Sequence, residues 1–164
     1  MLGGRARLMF TGALIPFEGL NVEGGYRFLE HSSDVYVEAW GESLEEAFRQ
    51  AAKAMFDTMT DLRLVEHRVE VEVSAEGFDE QELLYSWLEA LLVKYEVESL
   101  LFSEFKIYPI RREGEILKLK ASAYGEPLNL EKHPSKVEIK AVTYHLMEIE
   151  RMEKGFRVRV LFDS

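Results

Sequence analysis

The stretch Val35-Tyr36-Val37-Glu38-Ala39-Trp40-Gly41-Glu42-Ser43-Leu44-Glu45-Glu46-Ala47-Phe48 changes its apolar period part-way. Up to Trp40, the residues Val35, Val37 and Ala39 alternate with Tyr36, Glu38 and Trp40, as side chains do on the two faces of a strand. Beyond Gly41, apolar residues recur at steps of three and four: Leu44, Ala47, Phe48, Ala51, Ala52, Met55, Phe56 and Met59. That is one face of an amphipathic helix. Ser43, three residues before Glu46, has the capping-box spacing that satisfies backbone donors at a helix start.

The same switch recurs downstream. Val69, Val71, Val73 and Ala75 alternate with Arg68, Glu70, Glu72 and Ser74, and Asp79 with Glu82 then opens a second helix. Its stripe is Leu83, Leu84, Trp87, Leu88, Leu91, Leu92 and Tyr95, which reads as core packing rather than a cofactor box. The remainder reads as strand. Leu101 to Ile110 and Leu117 to Tyr124 flank a turn at Arg112–Gly114, and a loop carries Gly125, Pro127 and Pro134. Val137, Ile139, Ala141, Thr143, His145, Met147 and Ile149 then alternate along one strand. A last strand turns one way Phe156, Val158, Val160 and Phe162. The expectation is a single α+β domain over residues 26–164, with two amphipathic helices packed on a largely antiparallel sheet in two layers.

Residues 1–25 differ. Gly3, Gly4, Gly12, Gly19, Gly24 and Gly25 interrupt any period, so this part is expected to be a disordered extension or the product of a mis-set translation start. Arg5 and Arg7 before Leu8 to Phe17 loosely imitate a signal peptide, but Gly12 and Pro16 break the apolar run.

Composition narrows the function classes. The 164 residues carry 30 Asp+Glu against 20 Lys+Arg, a formal charge of −10. That argues against strong direct nucleic-acid binding, which needs clustered cations, and favours a basic partner or a hard cation. No apolar run is long enough for a membrane span. The absence of cysteine excludes disulfides and thiolate sites, and points to a cytoplasmic protein. Amides are limited to Asn21, Asn129, Gln50 and Gln81, while Glu, Lys and Arg abound, a balance seen in heat-adapted proteins.

No phosphate loop, nucleophile elbow or H-E-x-x-H helix is present. What remains is Glu30-His31-Ser32-Ser33-Asp34 and the closing pair Asp163-Ser164. Asp34 could simply cap a turn, and Asp163-Ser164 could be a solvated tail. The alternative is chemically specific. Two carboxylates and the terminal carboxylate of Ser164 would form an all-oxygen site for Ca²⁺ or Mg²⁺. His31 could be a ligand, a base or structural. His145, on the apolar face of its strand, is expected to be a hydrogen-bonded core histidine. His67 and His133 show no patterned neighbours.

Beyond these patterns, several linked segments resemble the archease family. Glu30-His31-Ser32-Ser33-Asp34-Val35 stands where that family reads E-H-T-A-D-V, and Ala39-Trp40-Gly41 is followed by Leu44-Glu45-Glu46-Ala47-Phe48. Ala52-Lys53-Ala54-Met55-Phe56 and Met59-Thr60-Asp61 continue the match. So do Glu82-Leu83-Leu84-Tyr85-Ser86-Trp87-Leu88-Glu89-Ala90-Leu91-Leu92, Gly125-Glu126-Pro127 and His133. It ends with Ile139-Lys140-Ala141-Val142-Thr143-Tyr144-His145 and Phe162-Asp163-Ser164. Ser32-Ser33 replace Thr-Ala, a change between small residues. The extension before residue 26 lies outside the resemblance.

The resemblance implies an accessory protein of tRNA splicing and RNA repair, not an enzyme. Archeases activate an RtcB-type RNA ligase by promoting its GTP-dependent guanylylation and multiple turnover. It also implies a metal site at Asp34, Asp163 and Ser164, with calcium first and magnesium or manganese as alternatives. A tRNA cytosine methyltransferase, modulated or kept from aggregating, is a second implied partner. A metal-dependent phosphohydrolase is the competing enzymatic reading.

Overall fold

The two caps read from the sequence do start both helices. In the computed structural model, which describes residues 23–164, the Ser43 side chain accepts from the Glu46 N–H at 3.1 Å and opens α1, Leu44–Met59. Asp79 accepts from the Glu82 N–H at 2.8 Å and opens α2, Glu80–Glu98. The Glu82 carboxylate reaches back to the Phe78 N–H, so that end satisfies donors in both directions.

Strands β1 (Gly24–Leu29) and β2 (Val35–Gly41) precede α1. A 3₁₀ turn over Leu62–Leu64 and strand β3 (Val69–Gly77) lead to α2. After it come β4 (Leu100–Ile107), β5 (Arg111–Glu113), β6 (Ile116–Pro127), β7 (Ala141–Met152) and β8 (Gly155–Asp163). The expected antiparallel α+β arrangement is present, with its strands divided between two sheets: β1-β2-β8-β7, and β3-β6-β4 with β5 on β6. Each helix packs against both sheets, α1 on β1, β2, β8 and β4, α2 on β3, β6, β4 and β7. That explains why α1 is buried well beyond one stripe, Gln50, Ala54 and Asp57 included. Trp87 fills the space between the helices and donates its indole N–H to the Phe48 carbonyl at 3.1 Å.

Of the extension expected over residues 1–25, positions 1–22 lie outside the described residues. Gly24 and Gly25 already pair with Gly41 and Trp40 in β1.

Four local expectations are corrected. Gly125 and Pro127 belong to β6 rather than to a loop. A Cβ at Gly125 would collide with the Leu101 carbonyl of β4, so glycine here permits close strand approach. The strand expected from Leu101 to Ile110 ends at Ile107, and Arg111–Glu113, overlapping the expected turn at Arg112–Gly114, form a separate short strand. The strand expected from Val137 starts only at Ala141; before it, Lys136 and Val137 donate to the Met59 and Thr58 carbonyls at the end of α1. Within β7, Thr143 pairs with Leu161 but Glu148 pairs with Arg159. The extra residues of this bulge invert the alternation, so Val142 faces the core before it and Met147 is buried at its far end. His145 sits in the bulge, exposed to solvent, and is not the core histidine expected of it.

The core histidine is His133, 1% exposed. Its Nδ1 accepts from the Asn129 N–H at 2.9 Å, which leaves the proton on Nε2, 2.9 Å from the Glu126 carboxylate. Glu126 also accepts from the Glu66 N–H and pairs with Lys132 at 2.7 Å. Burial alone would raise the Glu126 carboxyl, but Lys132, the Glu66 N–H and His133 outweigh it and hold it at about 2, against an ordinary 4.5. A carboxyl lowered on folding stabilises the fold above its unfolded value, and that contribution disappears as pH falls through the folded one. Wild-type stability should therefore fall between about pH 4.5 and 2, and Glu126→Gln should flatten that part of a urea-denaturation profile. An unaltered acid limb in the variant would mean other groups govern it.

A second buried carboxylate, Glu38 at 0% exposure, lies on the face of β2 turned away from α1. Register sets it opposite Arg27 on β1 and Arg159 on β8. It meets Arg27 at 2.6 Å, Arg159 at 2.8 Å and Arg157 at 3.0 Å. Burial would raise its carboxyl, but the guanidinium hydrogen bonds and charges prevail and lower it. This charge cluster staples the three strands that carry the site described next.

Candidate metal centre

Strand order makes this site, because β8, the last element of the chain, lies beside β2, the second. The register runs from Gly41↔Phe156 to Val35↔Phe162, and one further step sets Asp34 opposite Asp163. Asp34 ends the β1–β2 loop, whose residues from Glu30 to Ser33 are exposed, while Asp34 and Ser164 are half-buried and Asp163 is exposed.

Ser164 ties the two ends together. Its N–H points at the Asp34 Oδ1 across 3.5 Å, and its hydroxyl donates to the Ser33 carbonyl at 2.9 Å. From the other side, the Lys140 N–H donates to the Asp163 carbonyl at 2.7 Å. These bonds hold the Asp163 and Ser164 backbone and the end of the β1–β2 loop in place, and Asp34, Asp163 and Ser164 meet at one corner of the sheet.

Neither aspartate joins an ion pair among the described residues. Facing carboxylates repel unless a cation lies between them, and oxygen donors suit a hard divalent ion. The donor chemistry fits such an ion. Among the described residues no three His, Asp or Glu side chains converge on one point, so a third anionic oxygen would have to come from the main chain of Ser164.

The two histidines weighed as ligands have other neighbours. His31 packs its ring edge-on against Tyr36, with centroids 6.0 Å apart, and His145 is in the β7 bulge. Tyr36, which the sequence marks only as a strand residue, supports that bulge through its hydroxyl, which donates to the Leu146 carbonyl at 2.8 Å. Leu146 there has φ of 60°, a conformation that non-glycine residues seldom adopt. No local pattern signals either feature, since the partners are 110 residues apart.

Residues 26–163 match the archease protein family. The chain belongs to the archease family. "Protein archease" of Pyrococcus furiosus is 43% identical over 126 residues, covering 77% of this chain and 88% of that protein. "Protein archease" of Sulfolobus acidocaldarius is 42% identical over 138 residues, covering 84% and 97%. Among solved structures, the solution structure of Methanobacterium thermoautotrophicum protein 1598 superposes with a TM-score of 0.76 at 40% identity, covering 85% of this chain and 99% of that one. The crystal structure of a Thermotoga maritima protein, described as an archease and possible chaperone, shares the fold at TM-score 0.54 and 23% identity, covering 83% and 94%. The archease relatives are named as proteins and not by an enzymatic activity. No helix among the described residues is long and apolar enough to cross a membrane.

Proposed function

We propose that this archease-family chain is a cytoplasmic accessory protein that activates an RtcB-type RNA ligase, promoting GTP-dependent guanylylation of the ligase and its repeated turnover. The observation that carries the reading is the meeting of Asp34, Asp163 and Ser164 at one sheet corner, from opposite ends of the chain. Asp34, Asp163 and the Ser164 carboxylate would hold a divalent cation, calcium in the first instance and magnesium or manganese otherwise. When bound, the ion would supply positive charge for the phosphates of GTP at the ligase's nucleotide site.

The chain's own residues do the positioning. Ser164 bridges to the Asp34 loop, Lys140 holds the Asp163 backbone, and the Glu38 cluster fixes the register beneath them. The charge of −10 suits docking on a ligase surface built to hold RNA, by complementarity that salt weakens. The same corner could act by favouring one of two ligase conformations.

The test is guanylylation of the ligase by labelled GTP in the absence of RNA. The rate should be faster with the protein present, with no nucleotide turnover by the protein alone; turnover by the protein alone would favour the phosphohydrolase reading. An unaltered rate would reject the ligase reading and bring forward modulation of a tRNA methyltransferase, in keeping with the "possible chaperone" description of the Thermotoga protein. A residue appended after Ser164 moves its carboxylate away, so calorimetry should read weaker cation binding. Equal affinity would remove Ser164 from the site.

A further inference from the structure

Charge is distributed unevenly along this acidic chain. Residues 106–120 hold five basic side chains, Lys106, Arg111, Arg112, Lys118 and Lys120, against two acidic ones, Glu113 and Glu115. In a chain of net charge −10, this segment is net-positive by three charges. The fold gathers most of it around a groove of about 250 Å³ lined by Tyr108, Pro109, Arg111, Lys118 and Lys120. Pairing of Arg111 with Lys118 across β5 and β6 puts these two cations on one face, and the Tyr108 N–H donates to the Lys120 carbonyl. The Lys106 ammonium lies 5.2 Å from the centre of the Tyr108 ring, which is 44% exposed.

Local carboxylates neutralise this cluster only in part. Arg111 meets Glu113 at 3.5 Å, and Lys118 meets Glu113 at 3.4 Å and Glu76 at 3.7 Å. Lys106 and Lys120 join no ion pair among the described residues. Exposed lysines and arginines around an exposed aromatic ring are what a flexible polyanion with π-faces requires. Cations track its phosphates while the ring stacks a base. Neither a membrane surface nor a folded acidic protein offers a base for the ring.

We propose that this groove binds single-stranded RNA, with phosphates on Arg111, Lys118 and Lys120 and a base against Tyr108. The groove lies on the β3-β6-β4 sheet, away from the Asp34–Ser164 corner on the other sheet, so both surfaces could be occupied together. The choice of RNA over other polyanions rests on the RNA-processing reading above; the groove's charge and geometry do not.

The test is fluorescence anisotropy of a labelled single-stranded oligoribonucleotide titrated with the full chain. With three phosphates engaged, affinity should fall roughly 20-fold between about 50 and 200 mM salt. The double variant Arg111→Glu/Lys120→Glu should bind at least about tenfold more weakly, and Tyr108→Ala about tenfold, the loss of one base stack. Guanylylation of the ligase without RNA should be unchanged in all three substitutions, which separates this proposal from the ligase reading, and wild-type melting temperatures should show that the variants fold. No binding by the wild type, or equal binding by the double variant, would overturn the proposal. Loss with the double variant but none with Tyr108→Ala would also overturn it, reducing the groove to a general polyanion surface.

Discussion

Asp34→Asn should return guanylylation to the rate of the ligase alone while leaving the fold intact. The amide keeps an oxygen to accept from the Ser164 N–H, now 3.5 Å from Oδ1, and it is nearly isosteric, so the tie between the β1–β2 loop and the chain's end survives. What it loses is charge. A hard cation held by few anionic oxygens depends on each of them, so cation affinity should fall by more than the 10–100-fold typical of losing a supporting contact. Asp163→Asn should behave alike, because it contributes the facing carboxylate from an exposed position with no ion pair to lose. Thermal stability of both variants in the absence of added metal should stay within about 0.5 kcal/mol of wild type, as for ordinary surface changes. Full activation by both variants would remove the metal centre from the mechanism.

Glu38→Ala should cost roughly 3–5 kcal/mol, the cost of breaking a buried ion pair from one side. The carboxylate is fully buried and is the shared acceptor of Arg27, Arg157 and Arg159. Removing it leaves positive charges crowded together on the same face of three strands. At about 2–4 °C per kcal/mol for a chain of this size, the melting temperature should drop by roughly 6–20 °C. Glu38→Gln should fall between, since it keeps hydrogen-bond acceptance and loses charge. A melting temperature within a degree of wild type would show that the cluster contributes specificity of pairing rather than stability.

The elements legible in the sequence were those with a clean local period. Val35 to Trp40, the α1 stripe from Leu44 to Met59 and the α2 stripe from Leu83 to Tyr95 each repeat over enough residues to fix type and face, and Ser43 and Asp79 mark their starts. Illegible features depend on distant partners. Gly125 and Pro127 are turn signals in isolation, yet they continue β6 because the Leu101 backbone passes too close for a side chain. The β7 bulge between Thr143 and Glu148 carries no marker glycine, and it exchanged inward for outward positions, exposing His145. His133 is buried because Glu126 and the turn at Asn129 receive it, a pairing no periodicity announces. The corner formed by Asp34, Asp163 and Ser164 was visible as three residue types but not as a place. Only the pairing of β2 with β8, between strands more than a hundred residues apart in sequence, brings them together.

The most direct test of the ligase reading uses an RtcB-type ligase substoichiometric to RNA ending in a 2′,3′-cyclic phosphate, with GTP and divalent metal, and counts product formed per ligase molecule. With this protein added, product should exceed the ligase concentration many-fold; without it, product should stop near one per ligase. Equal product in both cases, with the protein folded and metal-loaded, would contradict the account.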